Sequence, residues 1–192
     1  LASGGGSPKD YTIRIWDTNT GEQITVFEGH TGCVVALTAL ERGKKLASAS
    51  WDATIRVWDV ELGQQLQKLE GHTGFPNTIV PLANGNTLAS AGKDKTIRFW
   101  KLQEEIGPKR AEWKGWVVYC LTLVDDGKQL ASAGGGKAIF LHDIKTGKEL
   151  GQLRIPTERD PDVHALVSFD RGRKLASAGE EVVIRIWDVF SK

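Results

Sequence analysis

The chain repeats itself. The tripeptide Leu-Ala-Ser begins at Leu1, Leu46, Leu88, Leu130 and Leu175, at intervals of 42 or 45 residues. The copies run on well past the tripeptide. From Leu46 the sequence reads LASASWDATIRVWD, from Leu88 LASAGKDKTIRFWK, from Leu130 LASAGGGKAIFLHD and from Leu175 LASAGEEVVIRIWD. The first copy, LASGGGSPKDYTIRIWD, carries three extra residues before Asp10. A chain made of near-copies must fold into near-copies, each packing on the next in the same way.

Within a copy the patterning is that of strands. After Leu-Ala-Ser-Ala comes a turn rich in Gly, Asp and Lys, then Thr-Ile-Arg-Val-Trp, in which polar and apolar residues alternate as on a half-buried strand. A second turn follows (Thr20-Gly21, Leu62-Gly63, Thr146-Gly147), then a third alternating run such as 64–69. After Gly71-His72 a more uniformly apolar run, 78–82, predicts a strand buried on both faces. Four antiparallel strands per unit of about 42 residues define a propeller blade. A β-sandwich would not repeat its own sequence, and no sustained helical period is present. The fold class expected is therefore all-β, a β-propeller with an incomplete ring.

Composition excludes little but agrees. Lys and Arg number 25 and Asp and Glu 24, so a polyanionic partner is not required and nucleic acid is not expected. No run approaches the ~20 apolar residues that span a bilayer, no basic-then-apolar segment opens the chain, and no membrane partner is expected. Cys33 and Cys120 have no paired spacing and sit in apolar runs, which predicts two reduced thiols and fits a cytoplasmic protein.

Gly29-His30, Gly71-His72, Trp16-Asp17, Trp58-Asp59 and Trp187-Asp188 resemble the WD-repeat family of β-propellers, and the resemblance spans essentially the whole chain. It implies a hydrogen-bonded tetrad in each blade: His30, Ser48, Asp52 and Trp58 in one, His72, Ser90, Asp94 and Trp100 in the next. A buried imidazole, hydroxyl and indole each need a partner, and a carboxylate accepts several bonds. The same side-chain types would suit a hydrolase triad, but a catalytic site has no reason to recur blade after blade, so the trio reads as architecture. Two copies depart from the pattern. In the fourth, Gly136 and His142 stand for Asp and Trp, and Gly115-Trp116 stands for Gly-His. In the fifth, Glu181 replaces Asp and 159–162 replaces Gly-His. These blades are expected to rely on apolar packing and to be locally less stable.

The copies divide the chain into a partial blade at 1–28, blades at 29–70, 71–113 and 114–154, and a partial blade at 155–192. About 4.5 blades do not close a ring, so the remaining blades are expected from a longer polypeptide or from a second copy of the chain. The absence of Met at residue 1 fits a segment of a longer protein.

The resemblance places partner contacts on one face, around Gly-His and the turn between second and third strands. The residue before the turn Asp is Lys9, Trp51 or Lys93, and the innermost strand opens at Cys33, Phe75 or Val117. The candidates are Trp51, Phe75, Lys93, Trp116 and Tyr119, a mixed aromatic and basic set suited to a peptide of acidic character. An aromatic on a rigid turn makes a good anchor; alternatively, Trp51 folds over the neighbouring blade as cover. No catalytic residue, cofactor or metal site is expected. His30, His72, His142 and His164 lack ligand spacing, Gly134-Gly135-Gly136 is a hairpin turn rather than a phosphate cradle, and Glu104-Glu105 and Asp125-Asp126 read as solvated turns. Val35, Asn77, Tyr119 and His164 share the channel-facing position of the innermost strands, too neutral a set for a propeller hydrolase. The function expected is a non-catalytic scaffold or adaptor that binds proteins or peptides. Its competitor is a sensory propeller fused to a signalling or catalytic module.

Overall fold

A computed structural model of the chain describes all residues except 8–9, 83–84, 103–108, 113–115, 159 and 191–192, and the side chains of 109–112. Lys9, Glu104, Glu105, Gly115 and Arg159 therefore lie outside the described residues. The strands form five antiparallel sheets. The first contains β1 (Ala2–Gly4), β2 (Ile13–Trp16) and β3 (Gln23–Phe27). The second contains β4 (Val34–Leu40), β5 (Lys45–Ser50), β6 (Ile55–Asp59) and β7 (Gln64–Leu69). The third contains β8 (Pro76–Pro81), β9 (Thr87–Gly92), β10 (Thr96–Lys101) and β11 (Lys109–Glu112). The fourth contains β12 (Val118–Val124), β13 (Gln129–Gly134), β14 (Ala138–Asp143) and β15 (Glu149–Arg154), and the fifth β16 (Val163–Phe169), β17 (Lys174–Gly179) and β18 (Arg185–Asp188). Among the described residues no helix is long and apolar enough to cross a membrane.

The sheets stack as blades. The innermost strands β4, β8, β12 and β16 contact one another in sequence order, and β1 contacts β4. Each apolar cluster joins two neighbouring sheets rather than lying within one. Ile13, Ile15 and Phe27 meet Val34, Leu46 and Trp58. Ala47, Ala49, Ile55 and Val57 meet Ile79, Leu88 and Trp100. Ala89, Ala91 and Ile97 meet Val118, Leu121 and Leu130. Ala131, Ala133, Ile139 and Leu141 meet Val163, Leu166 and Leu175.

This stacking explains the recurring Leu-Ala-Ser-Ala. Alternate residues of a strand point to opposite faces. Leu46 packs toward the preceding sheet, and Ala47 and Ala49 toward the following one. Small side chains there let the next blade approach closely. Burial on that face depends on a following blade. Val57 is 2% exposed, whereas Ile186, its counterpart in the fifth sheet, is 61% exposed.

The innermost strands differ from the sequence expectation of burial on both faces. In β8 only Pro76 and Ile79 are buried, and in β4 only Val34 and Leu40. An innermost strand is a sheet edge with a neighbour on one side only. Each also carries a register shift: the pairing skips Val35, Asn77, Tyr119 and His164 in the four sheets. A bulge leaves its residue unpaired and re-aims the side chain. Asn77 uses this freedom to reach the next blade, its Nδ2 donating to the Val118 carbonyl at 2.9 Å.

Candidate partner-binding face

The polar residues of the second blade meet in its interior. Trp58 Nε1 donates to Ser48 Oγ at 2.8 Å, and Ser48 Oγ lies 2.8 Å from His30 Nε2. His30 Nδ1 donates to Asp52 Oδ2 at 2.7 Å. The same carboxylate accepts the Thr31 amide at 3.1 Å and, through Oδ1, the Thr54 hydroxyl at 2.7 Å. The third blade repeats the pattern: Trp100 to Ser90 at 2.7 Å, Ser90 to His72 at 2.7 Å, and His72 to Asp94 at 2.7 Å. Each network ties the connection before the innermost strand to the second strand, the turn and the third strand. It therefore pins register, which period-2 strands otherwise lose easily.

The ionisation states follow from the partners. Burial pushes the Asp52 and Asp94 carboxyls up, but the bonds they accept from histidine, threonine and backbone outweigh it, and both are held below the ordinary carboxylate range. Burial pulls His72 below its usual value against the opposing pull of Asp94. A neutral His72 with its proton on Nδ1 donates to Asp94 and accepts from the Ser90 hydroxyl, which accepts from the indole. Every donor is used. Ser48 and Ser90 are fully buried beneath these rings, which leaves neither hydroxyl open to a substrate.

The other blades keep only part of this set. Trp187 Nε1 donates to Ser177 Oγ at 2.8 Å, and Glu181 pairs with Arg185 at 2.7 Å. In the fourth blade Ser132 Oγ lies 3.0 Å from His142 Nε2, so the imidazole takes the place of the indole. Burial pulls His142 down to about 4, and it is neutral at pH 7. Trp16 Nε1 donates to Ser3 Oγ at 2.8 Å in the first. Among the described residues the serine–ring bond thus recurs in all five sheets, and the His–Asp half is made in two.

On the surface above the second and third blades, the structure brings three candidates together. The Trp51 ring stacks on Phe75 of the next blade, with centroids 5.6 Å apart and planes 20° apart. Lys93 Nζ lies 5.5 Å from the Phe75 ring centre. Trp51 does cover the neighbouring blade, yet 49% of it stays exposed, as does 38% of Phe75. The pair is both held and available.

Trp116 and Tyr119 have different surroundings. Trp116, 63% exposed, stands where Gly32 and Gly74 stand in the preceding blades. A Cβ at Gly32 would meet the Asp52 nitrogen at 2.7 Å. In the fourth blade the bulk has changed sides: a Cβ at Gly136 would meet Trp116 Cδ1 at 2.8 Å. Gly135-Gly136 therefore makes room for the indole. Tyr119 turns toward the fifth blade, its ring 5.1 Å from that of His164. Burial and the charges of Asp162 and Glu180 raise its ionisation above the usual tyrosine value.

Two features were missed in the sequence. Asp162, His164 and Glu180 converge, their ligating atoms all within 4.8 Å of one another. Comparing histidines only with each other hides this group, since two of its members are carboxylates; aligning the copies column by column would have found it. The two thiols also differ. Both are free, but Cys33 is half-buried and donates to the Gly6 carbonyl at 3.2 Å, while burial pushes Cys120 up to about 12.

Antiparallel sheets of three or four strands, stacked one on the next, each with a serine–ring bond and some with a His–Asp half, define a repeat propeller whose polar residues serve the fold. The profile of the WD domain, G-beta repeat, matches residues 21–59 and 63–101, and these segments are WD repeats. They span the parts of the second and third blades in which both tetrads lie. Comparison with curated proteins gives no match. WD repeats generally mediate protein–protein interaction.

Proposed function

We propose that the chain is a non-catalytic adaptor whose Trp51–Phe75–Lys93 face docks a protein segment of acidic character. The observation that carries this reading is the exposed aromatic pair with an ammonium group beside it, mounted on turns held by two buried networks. A pre-ordered aromatic anchor loses little entropy on binding, and Lys93 favours a carboxylate beside the apolar contact. The burial of Ser48 and Ser90 supports a role without chemistry. Two unpaired thiols support a reducing, cytoplasmic setting.

Selection of displayed random peptides on the chain, followed by titration against variants, tests this. Recovered peptides are expected to carry Asp or Glu beside an apolar residue. Trp51→Ala should weaken them by about 2 kcal/mol, roughly 30-fold, and Lys93→Glu should weaken them further. Peptides that bind both variants as tightly as the parent would rule out this face.

A further inference from the structure

We infer that Asp162, His164 and Glu180 form a binding site for a divalent transition-metal ion of the zinc type, on the same face as Trp51 and Phe75 but in the fifth blade. Three donor types suited to such an ion, one imidazole and two carboxylates, come together with their ligating atoms within 4.8 Å of one another. A tetrahedral zinc with bonds of about 2.1 Å needs donors roughly 3.4 Å apart. His164 and Glu180 are exposed, so modest side-chain rotation closes that gap.

The backbone holds the carboxylate positions beside each other. The Glu180 amide donates to the Asp162 carbonyl at 3.0 Å, and the Asp162 amide donates to Glu180 Oε2 at 3.3 Å. Tyr119 supplies outer support, its ring lying against that of His164. Such outer contacts orient metal ligands. Among the described residues no ion pair neutralises Asp162 or Glu180.

Comparison between blades sets this group apart. The positions of Asp162, Glu180 and His164 are Cys33, Trp51 and Val35 in the second blade, Phe75, Lys93 and Asn77 in the third, and Val117, Gly135 and Tyr119 in the fourth. The tetrads recur and serve the fold; this set occurs once. Access differs too. Trp51 covers Phe75 of the following blade, whereas the matching residue before Asp162 is Gly135. A Cβ there would lie 3.3 Å from Asp162 Oδ1 and 2.9 Å from Trp116 Cβ. The missing side chain leaves the carboxylate open. An ion held by three protein groups keeps a further coordination position free.

Titration of the full chain with zinc in a calorimeter at pH 7, and with cobalt(II) in a spectrophotometer, tests the site. One equivalent of zinc should bind, and cobalt should show visible bands of a low-coordinate imidazole–carboxylate centre. His164→Ala and Glu180→Gln should each weaken zinc at least about tenfold, and Tyr119→Ala, which removes the ring packed on His164, by a similar factor. Both ligand side chains are exposed, so far-ultraviolet dichroism should stay unchanged. Glu22→Gln, an exposed carboxylate in the first blade, should bind as the parent does. The inference fails if zinc does not saturate near one equivalent, if His164→Ala and Glu180→Gln bind like the parent, or if calcium competes equally. The adaptor reading, which rests on Trp51 and Lys93, would survive any of these.

Discussion

Replacing Ser48 with alanine removes one oxygen and strands two buried groups. Ser48 is fully buried, and its Oγ bonds both Trp58 Nε1 and His30 Nε2 at 2.8 Å. A buried polar group left unpaired costs roughly 1–3 kcal/mol. Two such groups put the loss at about 2–6 kcal/mol, a large share of the ~5–15 kcal/mol that holds a typical domain. The serine–ring bond recurs across the chain with graded surroundings, so the series supplies its own controls. Ser132 meets the single ring nitrogen of His142 at 3.0 Å, which places Ser132→Ala near 1–3 kcal/mol. The Ser3–Trp16 bond is exposed, so water replaces the lost partner and Ser3→Ala should cost under about 1 kcal/mol. Urea unfolding, with the slope checked for constancy, gives all three values. The expected order is Ser48 above Ser132 above Ser3. Equal losses, or a Ser48 value under about 1 kcal/mol, would refute the claim that these networks hold the blades.

Acid should destabilise the chain in two stages. The folded values of His72 and His142 lie below their unfolded value near 6.5, so the unfolded chain binds more protons and stability falls as pH drops below that value. For His142, lowered to about 4, the loss approaches about 3 kcal/mol by pH 4. Below that, the depressed carboxyls of Asp52 and Asp94 lose their contribution as they protonate. Denaturation at stepped pH should show a shallower upper stage in His142→Phe. Radial stacking makes a second pair informative: Val57→Thr should cost about 1–3 kcal/mol by burying a hydroxyl between blades, while Ile186→Thr on the open face should stay within about 0.5 kcal/mol. Hydrogen exchange should find β13 and β14 less protected than β9 and β10, since the fourth blade lacks the His–Asp half; equal protection would contradict this.

The repeat made the blades legible because each copy writes the same alternation: Leu toward one neighbour, Ala toward the other, Ser beneath a ring. The tetrad residues were legible for the same reason, since a buried network needs fixed side-chain types at fixed offsets. What the sequence hid were relations between copies. That Trp51 lies on Phe75 depends on how one blade's turn overhangs the next blade's inner strand. The exchange of bulk between Gly32 and Trp116, against Asp52 and Gly136, is visible only when both sides of that contact are placed. The bulges at Val35, Asn77, Tyr119 and His164 left no composition signal, because the residue skipped differs in every blade.

Hydrogen exchange on the chain saturated with a selected acidic peptide tests the docking face most directly. Slowed amides should cluster at 31–33, 51–53, 73–75 and 93–95, where the connections and turns of the second and third blades meet, with the outer strands β3 and β7 unchanged. Protection centred on those outer strands, or spread evenly over all five sheets, would show that recognition takes place elsewhere.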